Sequence, residues 1–179
     1  GNHRHVAILK GPPGNLDAQE RLLGYRKALR EQRTKVTVDY IDGNFSEESG
    51  VTAAQKLLKA SPRPTAVFAA NDTMAIGLIA AFQAGGIRVP EDVAVTGFDD
   101  ILISRYVSPP LTTVRVDACD LGERAVRLLI GPAGREPNDD VRMADAITLP
   151  VNLIVRQSCG RASAPTRATA KRATERRSQ

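Results

Sequence analysis

Between residues 64 and 114 the sequence alternates short apolar runs with a helical pattern, and polar residues follow the ends of the runs. Residues 65–70 form a continuous apolar run, which indicates a strand that is buried on both faces. Asn71 then opens an apolar helix, which a Gly-Gly pair ends. Residues 92–97 indicate the next strand. This strand–helix–strand order is typical of a parallel sheet covered by helices.

The same alternation extends over the rest of the folded chain. In the first predicted helix, Ala18, Leu22, Tyr25 and Leu29 recur at steps of three and four residues and so share one face. Ser46 is the predicted N-cap of the second helix. The sequence therefore predicts an α/β fold, a three-layer sandwich with a largely parallel sheet. Predicted strands cover 5–9, 36–41, 65–70, 92–97, 111–115 and one or two segments within 146–155, and predicted helices cover 17–32, 46–60, 71–84 and 117–130.

The composition argues against a membrane protein and against a basic nucleic-acid-binding face. No apolar run approaches the roughly 18 residues that span a bilayer. The formal net charge is +5, but residues 161–179 contain six basic side chains and one acidic side chain, which accounts for the whole excess. We therefore predict that residues 1–158 form the folded domain and that residues 159–179 form a disordered basic tail.

Catalytic and metal-binding patterns are missing from the sequence. There is no Gly-x-Ser-x-Gly turn, and the two histidines, His3 and His5, stand at the start of the chain. Cys119 and Cys159 are far apart and match no metal-ligand spacing. We expect no enzyme activity, no metal site and no cofactor.

Four polar or aromatic residues follow the predicted strands at the edge where parallel α/β sheets bind ligands. Arg21 offers a fork of donors, Asp99 offers two acceptors, and Asn71 can donate and accept. Phe45 offers a flat apolar surface. Vicinal hydroxyls and the C–H face of a sugar ring need this combination of groups, so the set predicts a sugar site.

Each of these residues also has a plainer interpretation. Arg21 could pair with Asp17, four residues earlier on the same helix. Phe45 could be a core aromatic, Asn71 a helix cap, and Asp99 a cap of the following turn. Only their convergence on one sheet edge favours a binding site.

Several motifs together resemble the lactose-repressor/galactose-repressor (LacI/GalR) family of transcriptional regulators. The resemblance covers residues 3–158, and the motifs in combination are specific to the family. The segments that carry it are Arg63-Pro64-Thr65-Ala66-Val67-Phe68-Ala69-Ala70-Asn71-Asp72, Gly86-Ile87-Arg88-Val89-Pro90-Glu91-Asp92-Val93, Gly97-Phe98-Asp99-Asp100 and Ser108-Pro109-Pro110-Leu111-Thr112-Thr113-Val114.

The resemblance implies a periplasmic-binding-protein-like fold of type I, with two lobes behind an N-terminal helix-turn-helix. An effector between the lobes would shift their arrangement and thereby alter operator affinity. Carried over by position, the effector contacts of the family fall on residues that the strand ends had already indicated. They are Arg21, Phe45, Asn71 and Asp99, with Asp17 at a position that is polar in some members.

Compared with the family pattern, this chain begins at the second lobe, so it is expected to be truncated at its N-terminus. Of the first lobe, only about residues 110–130 would be present, and the helix from Asp117 would expose the apolar side made for that lobe. The expected function is the ligand-sensing region of a cytoplasmic repressor. Its expected partners are a sugar effector, a second copy of the intact protein, and operator DNA through the helix-turn-helix. The alternative is a sugar-binding component of a transport system with the same fold.

Overall fold

A four-stranded sheet lies at the centre of the computed structural model, which describes residues 2–31, 35–130 and 148–160. The strands are β1 (His5–Leu9), β2 (Thr37–Ile41), β3 (Ala66–Ala69) and β4 (Ala94–Thr96). They follow the spatial order β2-β1-β3-β4, and all neighbours pair in parallel. The predicted parallel α/β sheet is therefore confirmed.

Helices cover both faces of this sheet and make three layers. Helix α1 (Leu16–Arg30) lies on one face, where its Leu29 packs with Val6. Helices α2 (Glu47–Leu58) and α3 (Asp72–Ala84) lie on the other face and build the larger core. Because side chains alternate along a strand, neighbouring residues of β1 point into different cores. Burial of these aliphatic side chains supplies the main stabilisation of the sandwich.

Short polar side chains start the first three helices. The side chain of Asn15 accepts a hydrogen bond from the Ala18 amide at 2.9 Å, and Asn71 caps α3 in the same way. Ser46 accepts from the Ser49 amide at 3.1 Å, which confirms the predicted cap of α2. A lost cap of this kind costs about 1 kcal/mol.

A smaller unit follows β4. The strands β5 (Thr113–Arg115) and β6 (Asn152–Ile154) pair antiparallel, and α4 (Ala118–Ile130) follows β5. No residue of α4 is buried, so the expected exposure of its apolar side is confirmed. A 3-10 helix, Leu102–Arg105, was not predicted.

Helix and strand ends agree with the predicted ones to within two residues, except in the broad segment 146–155, where the observed strand covers only Asn152–Ile154. The ends of the predicted segments at residue 32 and at residues 146–147 lie outside the described residues, as does the predicted tail from residue 161 on. None of the helices that the structure describes is both long and apolar enough to span a bilayer.

Helices α2 and α3 approach each other closely at two glycines. A Cβ atom on Gly50 would lie 2.2 Å from the Met74 carbonyl oxygen, and one on Gly77 would lie 2.2 Å from the Glu47 carbonyl oxygen. Backbone cannot move aside as the end of a side chain can, so these positions require glycine.

We therefore expect Gly77→Ala to lower the free energy of unfolding by about 2 kcal/mol or more, since the helices must separate. Gly24→Ala is the matched control, because a Cβ atom at Gly24 of α1 meets nothing within 4 Å. That change should raise stability by up to about 1 kcal/mol through helix propensity. Urea unfolding of both variants measures the difference, and equal effects would contradict the close approach.

Candidate functional site

The side chain of Arg21 bridges the carboxyl ends of two strands. It lies on α1, and its Nη1 donates to the Ala70 carbonyl oxygen, directly after β3, at 2.6 Å. Its Nη2 lies 3.2 Å from Asp99 Oδ1, in the loop after β4. The structure thus brings together two residues that are far apart in the sequence, as the strand-end argument predicted.

Two aromatic rings flank the same guanidinium. The Cζ atom of Arg21 lies 4.0 Å from the centroid of the Phe98 ring and 5.8 Å from that of Phe45. Both distances suit a cation–π contact. The plainer interpretation, an Arg21–Asp17 pair, is wrong, because the ion-pair partner of Arg21 is Asp99. The Arg21 side chain is 17% exposed, so its guanidinium is fixed and largely dehydrated.

The Phe45 ring lies between the core and Arg21. It packs against the larger core, and it approaches Gly11 so closely that a Cβ atom there would lie 2.6 Å from its ring. Its φ of 71° is left-handed, which is unusual for an aromatic residue. The ring is half-buried, so the core interpretation holds and the predicted ligand-facing surface stays a prediction.

Both ends of the Asn71 side-chain amide make hydrogen bonds within the protein. Its Oδ1 caps α3 by accepting from the Met74 amide at 3.0 Å, and its Nδ2 donates to the Phe45 carbonyl oxygen at 3.1 Å. The cap interpretation is therefore confirmed. The amide nitrogen carries two hydrogens, and the Phe45 bond uses one. A ligand contact stays a prediction.

Asp99 is the carboxylate at the open side of the site. Its side chain is 36% exposed. Burial raises the pKa of Asp99 above its usual value, Arg21 opposes that rise, and the negative charge of Asp17 adds to it. Asp17 itself is exposed in the first turn of α1. We call Arg21, Phe45, Asn71 and Asp99 the strand-edge site, with Asp17 as its electrostatic neighbour.

The sequence did not lead us to predict a role for two further residues of this region. Phe98 precedes Asp99, and its pairing with Arg21 had no local signal. Asp72 is completely buried behind Asn71 and accepts hydrogen bonds from the Thr113 hydroxyl at 2.5 Å and the Ile101 amide at 3.0 Å. An acidic residue in an apolar segment was the available clue, since acids are rarely buried without partners.

Asp72 joins the start of α3 to the segments after β4 and before α4. Burial raises its pKa to about 6, against the hydrogen bonds from Thr113 and Ile101, and the charges of Asp99 and Asp100 add to the rise. Gly97 must be glycine here, because a Cβ atom would lie 2.2 Å from Asp72 Oδ1. The Asp72 carboxyl group is thus tightly enclosed, and its raised pKa makes it easier to protonate than an ordinary carboxyl group.

The residues that the structure describes offer few groups for metal binding or for acid–base catalysis near this site. Within residues 2–31, 35–130 and 148–160, no cluster of three metal-ligating side chains occurs. The His5 ring bonds to Asp39 at 2.8 Å, at the start of β1 and so at the opposite edge of the sheet. The arrangement at the strand-edge site offers an oriented donor fork beside an accessible acceptor, with aromatic surfaces next to both.

The family model described as "periplasmic binding protein-like domain" matches residues 1–159. The parallel sheet that the structure shows agrees with that match. The chain belongs to the LacI/GalR family, as part of its effector-binding domain.

Curated relatives are repressors of this family. The HTH-type transcriptional repressor PurR of Vibrio cholerae is 43% identical over 129 residues, which are 72% of this chain and 38% of that protein. The ribose operon repressor of Haemophilus influenzae is 38% identical over 157 residues, 87% of this chain and 46% of that protein. The chain thus spans less than half the length of these LacI/GalR relatives.

A solved structure supports the same assignment. The lac repressor dimer bound to operator and the anti-inducer ONPF matches with a TM-score of 0.73 and 32% identity, over 88% of this chain and 53% of that one. The predicted membership of the LacI/GalR family and the predicted fold are both confirmed.

The buried Asp72 predicts a pH dependence of stability. Its folded pKa of about 6 exceeds the unfolded value of 3.8, so the folded state favours the protonated form. Stability relative to an uncharged variant is therefore greatest below pH 4 and falls as the pH rises from 4 through 6.

Asp72→Asn removes this titration and can keep both hydrogen-bonded positions. The stability of this variant minus that of the wild type should grow by about 3 kcal/mol between pH 4 and 7 and then level off. Urea unfolding at intervals of one pH unit measures the difference. Asp120→Asn, in the exposed pair of Asp120 with Arg124, is the control and should show no such trend. A flat difference for Asp72→Asn would contradict the buried charge.

Proposed function

We propose that the strand-edge site binds a small polar effector, a sugar or similar polyol, and that this chain senses it for a LacI-type repressor. The observation that carries the proposal is the pair of Arg21 and Asp99. Arg21 is fixed by the Ala70 carbonyl and by Asp99, while Asp99 keeps a 36% exposed side chain at the open edge. A donor and an acceptor preset side by side match two adjacent hydroxyls.

The surroundings of this pair also suit a sugar ring. Phe45 and Phe98 provide aromatic surface for the C–H face of the ring. Asp17 adds a second carboxylate that Asp99 senses electrostatically. Carboxylates and a guanidinium bind hydroxyls strongly because charge-assisted hydrogen bonds are about twice as strong as neutral ones. The name of one relative, a ribose operon repressor, agrees with this class of effector.

A purine base is the competing effector class. The rings of Phe45 and Phe98 flank Arg21 and could stack with a flat heterocycle. A polyol would depend on the carboxylate of Asp99, whereas a base would depend on the aromatic rings. This difference makes the two classes separable by mutation.

Binding without catalysis is part of the proposal. The His5–Asp39 pair lies at the amino end of β1, about 13 Å along the strand from the carboxyl edge at 3.3 Å per residue. The strand-edge site therefore has no histidine base beside a nucleophile among the residues that the structure describes. Effector binding would instead favour one arrangement of lobes over another.

The partners of the intact protein are proposed from the surface and from the relatives. Three apolar residues in and directly after the 3-10 helix are exposed, which suits contact with a second copy: Leu102 at 68%, Ile103 at 50% and Tyr106 at 72%. The exposed apolar side of α4 suits a first lobe. The lac repressor structure is a dimer on operator, and the PurR relative is of HTH type. We propose a cytoplasmic homodimer that binds operator DNA through a domain outside this chain.

A thermal-shift titration with D-ribose and with hypoxanthine tests the effector class. If the effector is a polyol, D-ribose should raise the melting temperature of the wild type. Asp99→Asn should weaken its binding by about 10- to 100-fold, since a hydrogen bond to a charged acceptor is worth about 1.5–3 kcal/mol. Asp120→Asn should bind D-ribose as the wild type does, because Asp120 lies on exposed α4.

Two results would contradict the polyol assignment. One is an unchanged affinity of Asp99→Asn for D-ribose. The other is a thermal shift with hypoxanthine alone that Phe45→Ala abolishes and Asp99→Asn leaves intact, which would identify the base as the effector class.

A further inference from the structure

Two adjacent residues in the loop after β4 have left-handed backbone. Asp99 has a φ of 108° and Asp100 has a φ of 53°. Non-glycine residues in such conformations cost about 1–3 kcal/mol each and persist only where the surroundings fix them. The Asp99 amide donates to the Val114 carbonyl oxygen at 2.8 Å, and the Asp100 amide lies 3.3 Å from Thr113 Oγ1. Hydrogen bonds from these two amides to β5 thus fix part of the loop.

The side chain of Asp100 fixes the rest. It is 1% exposed, and two guanidinium groups donate to it: Arg156 Nη2 to Oδ1 at 2.5 Å, and Arg115 Nε to Oδ2 at 2.6 Å. Arg105 Nη2 lies 3.7 Å from Oδ2. We call Asp100 and these three arginines the Asp100 cluster. One buried carboxylate is the shared anion of three cations.

The arginines of the Asp100 cluster come from three different segments. Arg105 ends the 3-10 helix, Arg115 ends β5, and Arg156 follows β6. Arg156 also donates from Nη1 to the Leu111 carbonyl oxygen at 2.6 Å, and its side chain is 13% exposed. The cluster therefore ties the loop that carries Asp99 to both strands of the smaller sheet.

The same contacts keep the Asp100 carboxylate ionised. Burial favours the neutral acid, but hydrogen bonds and charge from Arg156 and Arg115 outweigh it and lower the pKa of Asp100 below its usual value. A carboxylate that stays ionised keeps all its guanidinium partners in place. Asp99 is different, since it faces the open edge and a single arginine.

We propose that Asp100 is the positioning residue of the strand-edge site: through the Asp100 cluster it keeps Asp99 in the strained backbone conformation that directs its carboxylate to Arg21. Asp100 itself is buried and touches no effector. The effect on effector affinity rests on the proposed function, whereas the effect on the loop does not. Since α4 directly follows β5, the cluster also joins the effector loop to the segment that leads into α4.

Asp100→Asn tests this directly, because asparagine tolerates left-handed backbone as aspartate does. The change removes the charge and replaces one acceptor oxygen with an NH2 group that cannot accept from a guanidinium. Amide hydrogen exchange at Asp99 and Ile101, measured by NMR without ligand, should become about tenfold faster or more as the loop loosens. Affinity for D-ribose, by calorimetry, should fall by a similar factor. Arg156→Gln should behave alike, Arg115→Gln less strongly, and Arg105→Gln least, in the order of their distances and burial.

Two controls separate positioning from general loss of stability. Phe82→Leu, in the buried core of α3, lowers stability without touching the loop. Glu123→Gln removes a carboxylate from the exposed Glu123–Arg127 pair. Both should leave exchange at Asp99 at its wild-type rate when compared equally far below their melting temperatures.

Several outcomes would overturn the proposal. They are unchanged exchange at Asp99 in Asp100→Asn, equally fast exchange in Phe82→Leu, or faster exchange with undiminished D-ribose affinity. If Asp100→Asn does not fold, Arg115→Gln carries the same test, since the Arg115 side chain is 41% exposed. If the wild type binds neither D-ribose nor hypoxanthine, the proposed effector classes fail, and the exchange rates still decide the role of Asp100.

Discussion

The parallel pairing of β1 to β4 is the constraint on which the strand-edge site depends. It brings the segments after all four strands to one edge, so residues 21, 45, 71 and 99 meet although the sequence separates them. The close approach of α2 and α3 at two glycines keeps α3 seated on the sheet, and with it the Asn71 cap. Close packing of the aliphatic side chains therefore fixes the positions of the polar groups at this edge.

Polar groups at this edge are connected with one another rather than placed singly. Asn71 joins the α3 cap to the Phe45 carbonyl, Asp72 joins α3 to Thr113 and Ile101, and Arg21 joins Ala70 to Asp99. Removing one partner of a buried polar pair leaves the other unsatisfied, which costs about 1–3 kcal/mol. The side chains at this edge are therefore held in fixed positions, and a change at Asp99 would reach a connected network.

Local patterns were enough to predict the sheet, the Ser46 cap and which residues follow the strands, because each depends on a short stretch of sequence. Pairings were not predictable in the same way. Arg21 pairs with Asp99 and not with nearby Asp17, and Asp100 finds Arg156 56 residues away. The 3-10 helix Leu102–Arg105 was missed because it lacks helical periodicity and its large apolar residues face outward. Such features follow from tertiary contacts, which a single sequence does not display.

We propose above that a small effector binds at the Arg21–Asp99 pair. A crystal structure of the chain with D-ribose, at a concentration that saturates its thermal shift, would test this. We expect density for the sugar at the carboxyl edge of the sheet, with two ring hydroxyls within about 3 Å of the Asp99 carboxylate and the Arg21 guanidinium. Sugar bound elsewhere, with the Arg21–Asp99 pair untouched, would contradict it.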